Sequence, residues 1–150
     1  MRKNILLLLI LSLLLSSCAK RAFVINENAL LKEGANAVSI AIKSGSIRLS
    51  EQGFVRLGDG KIDIEVYKLG KSVFNLKMGR KICINDERCV LKKSFNKHFF
   101  GKAYYKDLLE DIILSRPIKV EGYYIYEADS EHIYFKNENM FLKLKKVNVK

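Results

Sequence analysis

The chain has 150 residues, 49% hydrophobic and 29% charged, with one proline and no tryptophan. That balance excludes an intrinsically disordered polymer and leaves room for one domain around one core. A formal net charge of +11 favours anionic partners: phospholipid headgroups, lipopolysaccharide or acidic proteins.

The chain opens with Arg2 and Lys3, and residues 5–15 are leucine and isoleucine apart from Ser12. A basic flank, a short apolar run and then small residues make the layout of a secretory signal. The run falls short of the roughly 20 residues that carry a helix across a bilayer. Leu15-Ser16-Ser17-Cys18 resembles a lipobox, the signature of bacterial lipoproteins. The resemblance implies that residues 1–17 are removed and that Cys18 carries two or three acyl chains. One acyl chain anchors only marginally, whereas two or more hold stably. Ala19 stands where aspartate is the usual inner-membrane retention signal in enteric bacteria, so the expected address is the outer membrane, facing the periplasm. An exported lipoprotein has no nucleic-acid partner within reach.

Residues 18–36 read as a lipidated tether, with one helical turn expected over 28–33, and residues 37–150 as a single β-rich domain. From Ala37 the period is two: Val38, Ile40 and Ile42 alternate with smaller or polar residues. Ile47 and Leu49 follow Ser44-Gly45-Ser46, and Phe54, Val55 and Leu57 precede the turn Gly58-Asp59-Gly60. Ile62, Ile64 and Val66 then alternate with Asp63, Glu65 and Tyr67, which suits a strand with one buried face. Leu69-Gly70 turns the chain into the row Phe74, Leu76 and Met78.

Cys83 and Cys89 follow, an even pair in an oxidising compartment once Cys18 is used for lipid. Asn85 and Asp86 lie midway between them as turn formers. A three-residue loop over 85–87 sets Ile84 opposite Arg88 and Cys83 opposite Cys89, within disulfide reach. No second cysteine pair supports zinc, and no metal or cofactor is expected.

Tyr105, Leu108, Leu109, Ile112 and Ile113 then fall on one stripe of an amphipathic helix spanning 105–116. Asp107, Glu110 and Asp111 take the other face, and Pro117 ends the helix. Strands over 120–126, 132–136 and 140–149 complete the chain. In the last, Phe141 and Lys143 share one face, and Leu142 and Leu144 the other. The layout implies an α+β domain with a curved, mainly antiparallel sheet.

Catalytic groupings are sparse. Asp107, Glu110 and Asp111 read as a solvated helix face rather than a working carboxylate pair. No serine or cysteine is placed as a nucleophile for His98 or His132, and Gly58-Asp59-Gly60 lacks the helix and lysine of a phosphate loop. A binder is expected, not an enzyme. Phe99, Phe100, Tyr104, Tyr105, Tyr123, Tyr124, Tyr126, Tyr134, Phe135 and Phe141 crowd the second half, as a core or as the wall of an apolar groove.

The order of elements resembles the outer-membrane lipoprotein receptor family, LolB, and its soluble periplasmic carrier relative, LolA. The resemblance rests on the strand, Leu-Gly turn and strand of residues 62–76, on the helix beginning at Tyr105, and on the closing Phe141-Leu142-Lys143-Leu144-Lys145. It implies an incomplete β-barrel with the helix packed on its concave face. It also implies an acyl groove, bordered here by Leu108, Leu109, Ile112 and Ile113, that takes lipoprotein acyl chains from a LolA-like carrier. The family's apolar loop residue for delivery into the membrane matches Leu69, between Lys68 and Lys71. The alternative is a structural or accessory envelope lipoprotein that binds a protein partner and has no lipid pocket.

Cys18→Ser is expected to abolish incorporation of labelled fatty acid; an acylated mutant would show that the anchor lies elsewhere.

Overall fold

The computed structural model describes residues 23, 25–45 and 47–148. The leader and Cys18 lie outside the described residues. Among the described residues nine strands and two α-helices follow in chain order: β1 Gly34–Ser44, β2 Ile47–Gly58, β3 Lys61–Lys68, β4 Lys71–Met78, β5 Lys81–Ile84 and β6 Arg88–Leu91. Then come α1 Lys92–Phe100, α2 Leu108–Ile113, β7 Tyr124–Ala128, β8 His132–Asn137 and β9 Met140–Lys146. Among the described residues no helix is long and apolar enough to cross a membrane.

All nine strands form one antiparallel sheet in the order β6-β5-β4-β3-β2-β1-β9-β8-β7. The first six strands are a meander, and β9 returns to pair with β1, Ile40 opposite Leu144 and Ile42 opposite Leu142. Alternation makes one face apolar: Val38, Ile40, Ile42, Val55, Leu57, Ile62, Ile64, Val66, Leu76, Met78, Ile133, Phe135, Leu142 and Leu144 are all at most 2% exposed. At Gly53 an added Cβ would collide with the carbonyl oxygen of Glu65 and lie 2.9 Å from Ile40 Cδ1. Glycine there lets β2 approach its neighbours closely.

Among the described residues two α-helices are present where the sequence reading expects one. Helix α1 directs Phe95, Asn96, Phe99 and Phe100 inward, a spacing of i, i+1, i+4 and i+5 that marks one helical face. Gly101, at φ 74°, supplies the left-handed residue that stops it. The second helix is shorter than the expected 105–116. The Asn96 side-chain amide donates to the carbonyls of Tyr105 (2.8 Å) and Lys106 (3.1 Å), taking up groups an extra helical turn would use. At the other end Ser115 turns left-handed (φ 55°), and the residue before Pro117 is disfavoured in helical geometry.

Both helices share one core cluster with the sheet. Phe100 lies 5.4 Å from Phe135 of β8, ring centre to ring centre and edge to face. The Phe99 carbonyl accepts from the Ser44 hydroxyl at the end of β1, and the Phe100 carbonyl accepts from the Asn137 amide of β8 at 3.0 Å. Helix α1 also touches β5 and β6. In a flat sheet, six spacings of about 4.8 Å would separate β5 from β8 by about 29 Å, while a nine-residue helix is only about 13 Å long. The sheet therefore curves.

The N-terminal segment joins the core before β1. Ala29, Leu30 and Leu31 are buried, so part of the stretch read as tether packs on the domain. The expected helical turn over 28–33 is a tight turn instead, the Ala29 amide donating to the Asn26 carbonyl at 3.0 Å. The last two strands start where expected, β8 running one residue further to Asn137 and β9 ending sooner at Lys146, and β7 starts at Tyr124 rather than 120.

Cys83 and Cys89 are joined by a disulfide, their Cα atoms 4.0 Å apart. The register is Cys83 opposite Cys89 and Ile84 opposite Arg88, with Asn85 and Asp86 left-handed in the loop. A staple over so short a loop removes little unfolded-state entropy. Replacing both cysteines by serine should cost about 2 kcal/mol and leave the fold intact, read as a modest fall in the urea midpoint; global unfolding would show that the staple holds more than this hairpin.

Candidate functional site

Two places carry the expected site residues: the tip joining β3 to β4, and the core under α2. At the tip, Leu69 and Gly70 have φ of 51° and 74°, the two left-handed residues of a type I′ hairpin. A leucine in that conformation is costly, since its Cβ crowds the backbone. Leu69 is nonetheless 95% exposed, so its side chain gains no burial within the domain. Lys68 and Lys71 face each other across the last rung, and Lys68 reaches Glu51 at 3.5 Å. Val73, displaced by a bulge between Val66 and Tyr67, is half-exposed and widens the apolar tip.

The core under α2 is different. Leu108, Leu109, Ile112 and Ile113 are brought together, but each is at most 2% exposed. They fill the core rather than border an open groove. An open depression of about 640 Å³ lies nearby, lined by residues 102–105 and 119–122, and none of the four lines it. A six-residue helix is too short to stand by itself, so α2 holds its shape through this packing.

A half-buried cluster that sequence spacing did not reveal ties α1 to α2. Lys92 Nζ, at the start of α1, lies 2.7 Å from Glu110 and 3.1 Å from Asp107. Burial pulls Lys92 toward its neutral form, but hydrogen bonds to Glu110 and Asp107 outweigh that and its pKa is raised. Burial raises the Glu110 carboxyl above its ordinary value, with Lys92 acting against the shift. Beside it, Tyr105 donates to Asp111 at 3.0 Å and Tyr126 donates to the Ile112 carbonyl at 3.4 Å. Burial, then the Asp111 charge, pushes the Tyr126 phenol up to about 12, so it remains a neutral donor. The only sequence signal for the cluster is a lysine opening α1, and its partners are 15 and 18 residues away.

The expected solvated carboxylate face is thus corrected: Glu110 is buried, and Asp111 is taken by Tyr105 and Arg116. His98 Nδ1 lies 2.8 Å from the Ser94 carbonyl within its own helix. His132 sits between Asp129 and Glu127 at 3.0 and 3.5 Å. Among known proteins, no family model and no curated protein matches this chain.

The cluster sets a stability prediction. A carboxyl whose folded pKa is raised contributes most below its ordinary value of 4.5, and that contribution is lost as pH rises through the folded pKa. Glu110→Gln should therefore flatten the decline in stability above this value, being nearly neutral below it and slightly stabilising at pH 7. Lys92→Met strands the Glu110 charge and should cost about 1.5–3 kcal/mol, read by urea unfolding across pH. Equal losses in the two variants would overturn this account.

Proposed function

We propose that this protein is a membrane-anchored lipoprotein that binds acyl chains, a LolB-like acceptor that receives lipoproteins from a soluble LolA-like carrier and inserts them into the outer membrane. It acts by binding and transfer, not by catalysis. The observation that carries the reading is Leu69, almost fully exposed at the β3–β4 tip between Lys68 and Lys71. An apolar residue in a strained turn, left almost fully exposed by its own domain, is suited to enter a bilayer while the flanking lysines meet phosphates.

The open sheet order supports the same reading. It is an incomplete barrel, with α1 and α2 covering its concave face, and the acyl chains enter between α2 and the sheet. Leu108, Leu109, Ile112 and Ile113 are the side chains they displace. Burying four such residues is worth roughly 6–12 kcal/mol, and about 14 acyl methylenes offer roughly 11 kcal/mol in return. The two are close enough for an exchange that opens α2 without unfolding the sheet.

The complete burial of those four side chains also favours a second reading, an accessory envelope lipoprotein that binds a protein partner through its surface. Transfer of labelled lipoprotein from carrier to vesicles separates the two. Leu69→Glu should still accept cargo but deliver it about ten to a hundredfold more slowly, the loss expected from one leucine no longer buried in lipid. Undiminished delivery by the folded variant would remove the tip from the mechanism. Failure of the unmodified protein to bind acyl chains would leave the accessory reading.

A further inference from the structure

The outward face of the sheet is divided by charge. On its β2-β3-β4 half cations meet acids: Arg56 pairs with Glu65 at 2.9 Å and Lys77 with Asp86. On the β8-β9-β1-β2 half, the register lines up Lys136, Phe141, Lys43 and Arg48 across four adjacent strands. Lys143 and Lys145 follow at two-residue steps on β9, on the same face. Among the described residues none of these five cations forms an ion pair; of the acids bordering this half, Glu127 and Asp129 sit at the edge with His132, Glu138 pairs with Lys102, and Glu131 lies in the β7–β8 turn. Lys43 and Arg48 are directly opposite each other, a like-charge placement that destabilises a sheet.

Reach supplies a second argument. Phe23 lies against the β2–β3 turn, beside Leu57 and Gly58, with Arg116 over its ring. Leu69 is at the other end of β3, about 25 Å away for an eight-residue strand. The five residues from Cys18 to Phe23 span at most about 18 Å. Acyl chains on Cys18 and the Leu69 tip therefore meet one bilayer only when the strands lie oblique to it.

We infer that the outer face of β8-β9-β1-β2, with Lys43, Arg48, Lys136, Lys143 and Lys145 around Phe141, is the surface by which the protein lies on a bilayer of anionic phospholipid. The cations meet headgroup phosphates, and Phe141 sits at the boundary between headgroups and acyl chains. Charge selects this half over the neutralised half beside it. The inference rests on the proposed lipid anchor and Leu69 tip, and is independent of whether the core accepts acyl chains.

The test uses the full acylated protein in phosphatidylcholine vesicles with and without phosphatidylglycerol. Surface lysines are labelled with an amine-reactive reagent and read by mass spectrometry. With phosphatidylglycerol, Lys43, Lys136, Lys143 and Lys145 should label at least about fivefold more slowly, the factor that about 1 kcal/mol per surface cation implies. Lys93 and Lys97 on the exposed side of α1 should not change, and high salt should restore labelling. Lys43→Gln/Lys143→Gln should lower the ratio of docked to undocked protein about 25-fold, seen as renewed labelling of Lys136 and Lys145. Equal labelling in both vesicles overturns the inference, as does protection that requires an added acidic protein. Protein that does not float with either vesicle shows instead that the anchor is wrong, while lost cargo transfer with lysine protection intact rejects only the acyl-chain reading.

Discussion

The constraint that shapes this domain is the mismatch between one continuous apolar sheet face, nine strands wide, and the small amount of helix available to cover it. Helices of nine and six residues are too narrow for a flat sheet of that width, so the sheet curves until its two halves meet the same side chains. Helix α1 is where they meet. Fully buried, Phe100 lies within 6 Å of the rings of Phe99, Tyr104 and Phe135, and its carbonyl receives the Asn137 amide. The Phe99 carbonyl takes the Ser44 hydroxyl of β1 and α1 touches β5 and β6, so this helix joins the N-terminal meander to the C-terminal strands, and edge-to-face aromatic pairs add specificity to plain area burial.

That arrangement leaves α2 dependent on its surroundings. It has no side-chain cap at its start, is too short for independent stability, and is held by four aliphatic side chains inside and the Lys92 cluster outside. An element secured only by tertiary contacts is also the one most readily exchanged for an equivalent apolar occupant. The same features describe a plain core, and the proposed acyl-chain exchange would use them.

On the outside, the domain separates its polar surface into a half where charges cancel and a half where they add. The second half weakens the sheet slightly for no internal gain, and the exposed Leu69 does the same at the hairpin tip. Both are local costs in conformation or charge that the domain itself does not recover. In the function proposed above, the tip, the basic face and the lipid anchor would form one membrane-facing surface.

Much of this was readable from residue order. Alternation at period two locates the strands, since a strand with one buried face allows few other patterns, and the Asn-Asp midpoint between Cys83 and Cys89 sets the hairpin register from local sequence alone. The Leu-Gly turn placed Leu69 at a tip. Helix α1 escaped notice although Phe95, Asn96, Phe99 and Phe100 carry its period, because it begins directly after a strand with no loop to announce it. The shorter span of α2 depended on Asn96 reaching carbonyls nine and ten residues on, and the buried state of Glu110 on Lys92 arriving from another helix; neither partner is near in sequence. The sequence by itself therefore determined the elements that local periodicity and turn chemistry specify. Only the tertiary structure decided which long-range partners met, that the four α2 side chains pack as core, and that five cations from four strands share one face, because each depends on which strands the sheet sets side by side.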